Sequence, residues 1–229
     1  MEKKRFKNHE ITRNIPKKDY CNPGPYKPYL EKDFCNRCAY CNLLDKLITT
    51  PFEIDHFIPE EAFKGKNDDL FADYENLIYA CKKCNGAKSS QFEGNIFSSE
   101  KANDLFYDPV KIDYNSVFYR NEIGIINSDD PKGRDMISRL KLYRPIHPMG
   151  WVCDQTKQLI DKIEKEKEKE SNTKRKDFLQ QALDELYAFY YKIYASFIAS
   201  YNDKKLTAKS ATTYCNNVIK MTNGIESDI

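Results

Sequence analysis

Two cysteine pairs of identical spacing, Cys38 with Cys41 and Cys81 with Cys84, lie on either side of residues 42–80. Two intervening residues allow both thiolates of a pair to bind one ion, because the short segment between them forms a tight turn. Four thiolates match the tetrahedral coordination of structural zinc. We therefore predict one Zn²⁺ bound by all four cysteines, which would close residues 38–84 into a small unit.

Cys35 offers an alternative ligand, because it forms a second CxxC with Cys38. An aromatic residue, Tyr40, precedes Cys41, as is common in zinc knuckles, so we favour Cys38 with Cys41. Whether Cys35 replaces one of these two ligands stays open at this point.

The overall composition is that of a globular protein. Apolar residues make up 40% of the 229 residues and charged residues 31%, and the net charge of +2 does not by itself require a nucleic-acid partner. No apolar run is long enough to span a bilayer, and residues 1–5 do not lead into a signal-peptide core. The eight cysteines include two CxxC pairs, which favours metal binding in a reducing compartment over disulfides. We expect a cytoplasmic protein that does not associate with membranes.

Composition also divides the chain into three regions. Residues 1–34 are basic and rich in proline and tyrosine, and they are interpreted as an N-terminal arm that is either solvated or in contact with phosphates. Residues 35–150 carry the cysteine pairs and an extension that ends at a cluster of prolines and a glycine, which we expect to break the chain. Residues 151–229 are predicted to be helical.

The helical prediction rests on apolar residues that recur at three- and four-residue steps, which places them on one stripe of a long helix. A stripe of this kind is usually covered within its own chain, and otherwise by a second copy or another protein. The stripe consists of Leu179, Ala182, Leu183, Leu186, Tyr190, Ile193, Phe197 and Ile198.

Between and beside the cysteine pairs lie residues suited to hydrolysis. The imidazole of His56 can take a proton from water near neutral pH, as a general base must. Asp55 and Asn85 offer oxygen ligands, and a site with few such ligands, completed by water and phosphate, suits Mg²⁺ or Mn²⁺. Asn76 precedes a β-prone segment, where its amide could hold the loop and orient His56. The set predicts a second, hydrolytic metal site and hence a nuclease.

Local patterns predict the elements that carry these residues. Residues 52–58 and 77–80 are typical of strands, and residues 82–90 can begin a helix once the second cysteine pair is fixed. The predicted order is strand, loop, strand, helix. Further along, residues 115–126 predict a short hairpin and residues 133–143 a helix.

These residues, in this order, resemble the HNH endonuclease family. Its pattern is a CxxC, an Asp-His followed shortly by Pro, an Asn-Leu, and a second CxxC followed by His or Asn, with Lys three positions later. The chain supplies every element, including Pro59, Leu77 and Lys88, and has Asn85 at the position where His or Asn occurs. The resemblance implies an α+β fold, in which a small zinc-stapled ββα-metal core is followed by a mainly α-helical C-terminal region.

The resemblance also implies roles for single residues. His56 would be the general base, Asp55 and Asn85 would hold the catalytic Mg²⁺ or Mn²⁺, and Asn76 would shape the loop. Lys88 would contact a phosphate of the nucleic acid from the helix. The implied reaction is hydrolysis of DNA that leaves 5′-phosphate and 3′-hydroxyl ends.

A second similarity concerns residues 106–109 and 137–144, which look like the tail of stand-alone bacterial HNH proteins. Many of those act in restriction or anti-phage systems, some beside an ATPase subunit. On this similarity residues 151–229 would mediate homodimerisation or docking of an ATPase-type partner. Two other functions stay open: a zinc-stapled module that binds nucleic acid or protein without cutting, and an RNA-cleaving nuclease.

Overall fold

The computed structural model describes residues 2–202, so the predicted helical segment 203–229 lies outside the described residues. The chain divides into two compact units, the first ending at Tyr143 and the second beginning at Arg144. No helix among the described residues is both long and apolar enough to cross a bilayer. The strands and α-helices are, in chain order, β1 (Lys4–Arg5), α1 (Lys27–Asp33), β2 (Glu53–His56), α2 (Glu60–Phe63), β3 (Leu77–Ala80), α3 (Lys82–Lys88), β4 (Tyr119–Arg120), β5 (Ile126–Asn127), α4 (Pro131–Arg139), α5 (Ile146–Lys169) and α6 (Thr173–Asn202).

The centre of the first unit is an antiparallel hairpin of β2 and β3, with Ile54 opposite Tyr79 and Asp55 opposite Ile78. All four residues of β3 are buried, as expected for a continuous apolar run. Helix α3 begins directly after Cys81 and ends at Lys88. The predicted order of the two strands and the helix is confirmed, and so is the α+β fold class, but the stretch predicted as a loop, residues 60–75, contains the short helix α2.

The connection between β2 and β3 has an apolar core of its own. Ile58, Phe63 and Leu70 are buried together, with Phe71 and Phe92 packed against them. Short helix α2 contributes Phe63 to this cluster. The long loop is therefore held in place by burial of apolar side chains as well as by its two ends.

The N-terminal segment, expected to be an arm, is folded onto the first unit along much of its length. Strand β1 pairs with β4, and Phe6 is almost fully buried. The guanidinium of Arg13 lies against the ring of Tyr74 and donates to the carbonyl of Leu77 at 2.7 Å. Prolines and lysines suggested an extended, solvated segment, but these apolar and cation–π contacts outweigh that local preference.

Strands β1, β4 and β5 form a three-stranded sheet, which confirms the predicted hairpin between residues 115 and 126. Arg120 of this sheet is 1% exposed. Its guanidinium donates to the carbonyls of Gly124 at 2.7 Å and Cys41 at 2.8 Å, and more weakly to that of Phe6 at 3.5 Å. One buried cation thus joins the N-terminal strand and the hairpin to the first cysteine pair.

The second unit is built on helices α5 and α6, which pack against each other. Along α6 the predicted stripe is the covered side, with Leu183, Ile193 and Phe197 fully buried. Helix α5 begins before the predicted break, with Pro145 at its N-cap and Pro148 in its first turn. Proline is tolerated there because the first backbone N–H groups of a helix have no partner within it.

Replacing Arg120 by methionine should destabilise the first unit by about 3 kcal/mol, because buried carbonyls lose a charged donor. Arg134→Met is the matched control, since Arg134 also donates to a carbonyl, that of Asp129, but at the surface; it should cost less than about 0.5 kcal/mol. Hydrogen exchange of peptides from residues 38–91 measures both. Equal loss of protection in the two variants would contradict the role assigned to Arg120.

Candidate active site and cysteine cluster

An open cavity of about 410 Å³ lies at the end of strand β2, where Asp55 and His56 meet the N-terminal half of α3. Antiparallel pairing with β3 fixes both backbone positions. Asn85 reaches the same cavity because it directly follows Cys84 on α3. The structure thus brings together the three residues predicted to carry the chemistry. The cavity is lined by Ile54, Asp55, His56, Pro59, Glu60, Glu61, Lys64, Asn85 and Ser89.

The ring of His56 is held in one orientation. Its Nε2 lies 2.8 Å from the carbonyl oxygen of Phe71. A carbonyl only accepts hydrogen bonds, so Nε2 carries the proton and the lone pair of the neutral ring is on Nδ1. The ring of Phe63 packs edge-on against the imidazole, and the ring of Phe71 stacks on it. These contacts fix the orientation and the tautomer of the His56 ring, with the Nδ1 lone pair not engaged by the Phe71 carbonyl.

Asp55 is only 6% exposed, and both of its carboxylate oxygens have a donor. The hydroxyl of Tyr40 donates to Oδ2 at 2.6 Å, and the ammonium of Lys88 donates to Oδ1 at 3.0 Å. Burial raises the pKa of the Asp55 carboxyl above its ordinary value, although Lys88 and Tyr40 act in the opposite direction. Each oxygen retains a further lone pair, so Asp55 could still bind a metal ion from the cavity.

The side chain of Asn85 is oriented by a carboxylate. Its Nδ2 donates to Oε2 of Glu53 at 2.8 Å. This contact distinguishes the two ends of the amide and leaves Oδ1 as the atom that could bind a cation. Glu53 and Asp55 are two positions apart on β2 and therefore project on the same side of the strand.

Asn76 is 1% exposed and bridges the two ends of the connection after His56. Its Oδ1 accepts from the backbone N–H of Ile58 at 2.8 Å, and its Nδ2 donates to the carbonyls of Ile58 and Leu70. Leu70 precedes Phe71, the acceptor for the imidazole. The geometry fits the predicted role of holding the loop that orients the histidine.

The sulfur atoms of Cys38, Cys41, Cys81 and Cys84 lie within 4.8 Å of one another, and all four residues are buried. The Sγ atoms of Cys41 and Cys81 are 3.9 Å apart, close to the roughly 3.8 Å edge of a tetrahedron with Zn–S bonds of about 2.3 Å. Burial alone would raise the pKa of Cys38, but hydrogen bonding to the other three thiols holds that pKa well below its usual range, while the pKa values of Cys41 and Cys84 are raised well above theirs. The donor set fits a tetrahedral thiolate-bound ion such as Zn²⁺.

Cys35 lies apart from this cluster. It is exposed, and its Sγ is 3.8 Å from the carbonyl oxygen of Glu10. Instead, the backbone folds residues 38–41 into a tight turn, here called the knuckle. The N–H of Asn42 donates to the carbonyl of Cys38 at 2.8 Å and closes this turn. The alternative left open by the sequence, a ligand set with Cys35, does not fit this geometry.

Lys88 does not lie where the predicted phosphate contact requires. Its side chain is fully buried, and its ammonium donates to Asp55 and to the carbonyl of His56 at 2.6 Å. Lys88 is the last residue of α3, and its long side chain turns inward to pair with Asp55. The structure therefore corrects the expectation of a phosphate contact: Lys88 holds the end of β2.

Two side chains that hydrogen-bond to the predicted metal ligands were not predicted from the sequence: Glu53 bonds to Asn85 and Tyr40 to Asp55. Glu53 could have been found from the two-residue alternation of a strand, which places it beside Asp55. Tyr40 was noted only as the aromatic residue of the knuckle. No local pattern signals its contact with Asp55, because the contact joins residues from separate elements.

The cysteine cluster generates a direct test. Cys81→Ser should lose the bound zinc and much of the fold, since structural zinc contributes about 10 kcal/mol or more to folding of small domains. Cys35→Ser is the matched control and should retain one zinc per chain. Metal analysis of the purified proteins, together with circular dichroism, measures both effects. A folded, zinc-loaded Cys81→Ser protein would show that the ligand set is wrong.

Comparison with known proteins agrees with the geometry. Residues 38–91 match the HNH endonuclease family. Over 144 residues the chain is 23% identical to the Septu protein PtuB of Bacillus thuringiensis, an alignment that covers 60% of this chain and 51% of that protein. The chain thus spans about half the length of this curated relative. No solved structure matches this chain significantly. Residues 38–91 form a domain of the HNH endonuclease family.

Proposed function

We propose that this protein is a metal-dependent endonuclease that hydrolyses phosphodiester bonds of DNA. The observation that carries the proposal is the convergence of Asp55, His56 and Asn85 on one open cavity, inside the segment that matches the HNH family. The open cavity leaves room for an extended polymer substrate, and the fixed Nε2–H tautomer of His56 serves proton abstraction from water.

In this mechanism His56 takes a proton from the attacking water at Nδ1, while its Nε2–H stays bound to the Phe71 carbonyl. Asp55 and Asn85 would hold Mg²⁺ or Mn²⁺ through carboxylate and amide oxygens. The bound ion would polarise the scissile phosphate and stabilise charge on the departing 3′-oxygen. The products are 5′-phosphate and 3′-hydroxyl ends.

The charges around the cavity support a role for a cation. Lys88 pairs with Asp55, and Lys64 pairs with Glu60 at 3.0 Å. Glu61, which also lines the cavity, leaves an excess of negative charge among the lining residues described. A polyanionic substrate would be repelled by this surface, and a divalent ion at Asp55 and Asn85 would reverse the sign.

The four-cysteine cluster would hold a structural Zn²⁺ that has no part in the reaction. A closed set of four thiolates leaves no open coordination position for water, which distinguishes structural from catalytic zinc sites. The seven cysteines in the described part of the chain are all unpaired thiols. This is consistent with a role in the reducing cytoplasm.

We further propose that the nuclease acts in defence against phage DNA. Similarity to a Septu protein supports this role, although it covers only about half of that relative. The second unit, with helices α5 and α6, would bind a second copy or an ATPase-type partner subunit. A partner would also supply specificity or activation, because a net charge of only +2 gives the chain little electrostatic attraction to DNA.

His56→Ala should lower cleavage of plasmid DNA in the presence of Mg²⁺ or Mn²⁺ by at least about 100-fold, because a general base contributes 10²–10⁴ to the rate. His9→Ala is the matched control, since His9 lies in the same unit and lines a different cavity. Agarose-gel nicking assays of both variants, at equal zinc content, give the comparison.

Undiminished cleavage by His56→Ala would contradict the mechanism. A wild-type protein that binds DNA but never cuts it would favour the binding module. Preferential cutting of an RNA of the same sequence would favour the RNA-cleaving nuclease.

Size-exclusion chromatography with light scattering tests the role of the helical unit. We expect the purified protein to be a dimer, with twice the 26.9 kDa mass of one chain, because the second unit would pair with that of a second copy. A monomer would contradict self-association and leave an ATPase-type subunit as the partner to be sought by co-purification.

A further inference from the structure

Tyr40 lies between two cysteines of the cluster and also touches the candidate active site. Its side chain is completely buried, and its hydroxyl donates to Oδ2 of Asp55 at 2.6 Å. Of the residues that flank it, Cys41 belongs to the four-sulfur cluster and Ala39 pairs with β3. The same short segment therefore contributes to a metal cluster and to the orientation of a catalytic carboxylate.

The position of this hydroxyl is set by the knuckle rather than by the active site. Ala39 N–H donates to the carbonyl of Tyr79 at 2.9 Å, and Cys38 N–H donates to that of Leu43 at 2.9 Å. On the other side the buried guanidinium of Arg120 binds the carbonyl of Cys41. With both flanks held, the ring of Tyr40 has little freedom to follow a displacement of Asp55.

Asp55 in turn depends on two donors from different elements. Lys88 of α3 binds Oδ1, and Tyr40 binds Oδ2. Loss of the hydroxyl would leave one oxygen of a buried carboxylate without a donor, and the carboxylate could then rotate toward the ammonium of Lys88. Rotation would move the free lone pairs away from the cavity, where a divalent ion would have to bind them.

We propose that Tyr40 is a positioning residue that couples the cysteine knuckle to Asp55 and thereby sets the affinity of the active site for its divalent ion. The inference rests on the proposed function only in taking Asp55 as a ligand of that ion. Tyr40 does not line the cavity, and it acts through the carboxylate alone.

The test is titration of zinc-loaded protein with Mn²⁺ in the absence of DNA, followed by the electron paramagnetic resonance signal of free Mn²⁺. Tyr40→Phe removes one hydroxyl and should weaken Mn²⁺ binding about tenfold, as is typical when a partner of a metal ligand is removed. Tyr79→Phe is the matched control: its hydroxyl also donates to an aspartate, Asp45, at 2.9 Å. It should change Mn²⁺ affinity less than about twofold, because Asp45 does not line the cavity.

A second comparison shows whether the effect passes through Asp55. In an Asp55→Asn background, Tyr40→Phe should cause no further loss of Mn²⁺ affinity. An equal loss in both backgrounds, or unchanged affinity in the single variant, would overturn the proposal. Loss of zinc from Tyr40→Phe would also overturn it, because the hydroxyl would then serve the knuckle and not the carboxylate.

Failure of the proposed function gives a different result. A wild-type protein that binds Mn²⁺ at this site yet cuts no nucleic acid would refute the nuclease and leave the coupling intact. Wild-type protein that binds no Mn²⁺ at Asp55 would refute the coupling.

Discussion

The convergence of four cysteine sulfurs in one buried cluster is the constraint on which the first unit depends. A hairpin of two four-residue strands is not stable alone, and the helix that follows it has only seven residues. The cluster joins the knuckle around Tyr40 to the start of α3, and it thereby holds α3 in contact with β2. Asn85 is then carried beside Glu53, and Lys88 is brought within reach of Asp55. Geometry at the candidate active site is therefore a consequence of the cluster.

A buried ion pair is the second element of this arrangement. Removing Lys88 and Asp55 from water is costly, and their mutual attraction offsets that cost only when their remaining hydrogen-bonding groups are satisfied. Here Tyr40 and the carbonyl of His56 satisfy them. The ammonium of Lys88 therefore binds two consecutive residues of β2, Asp55 and His56. The proposed reaction uses both of them. Lys88 is thus paired inside the protein and does not line the cavity.

Local patterns predicted the elements that are regular along the chain. The β-prone segment at 52–58 became β2, and the three- and four-residue recurrence of apolar residues became the covered side of α6. Where a residue type permits two outcomes, the patterns failed. Pro148 could end a helix or lie in its first turn, and the basic segment at 1–34 could be solvated or packed. Contacts distant in sequence, such as that of Arg13 with Tyr74, decided those cases.

The sequence by itself determined which donor atoms are available and in what order: four thiols, a carboxylate, an imidazole and two amides, at the spacing of an HNH domain. Only the tertiary structure decided which of those atoms are free to act. It excludes Cys35 from the cluster, turns Lys88 inward and leaves the lone pair of the neutral His56 ring on Nδ1. The physical reason is that each of these outcomes depends on a partner from another element, such as the Phe71 carbonyl or the Tyr40 hydroxyl. No local pattern specifies such a partner.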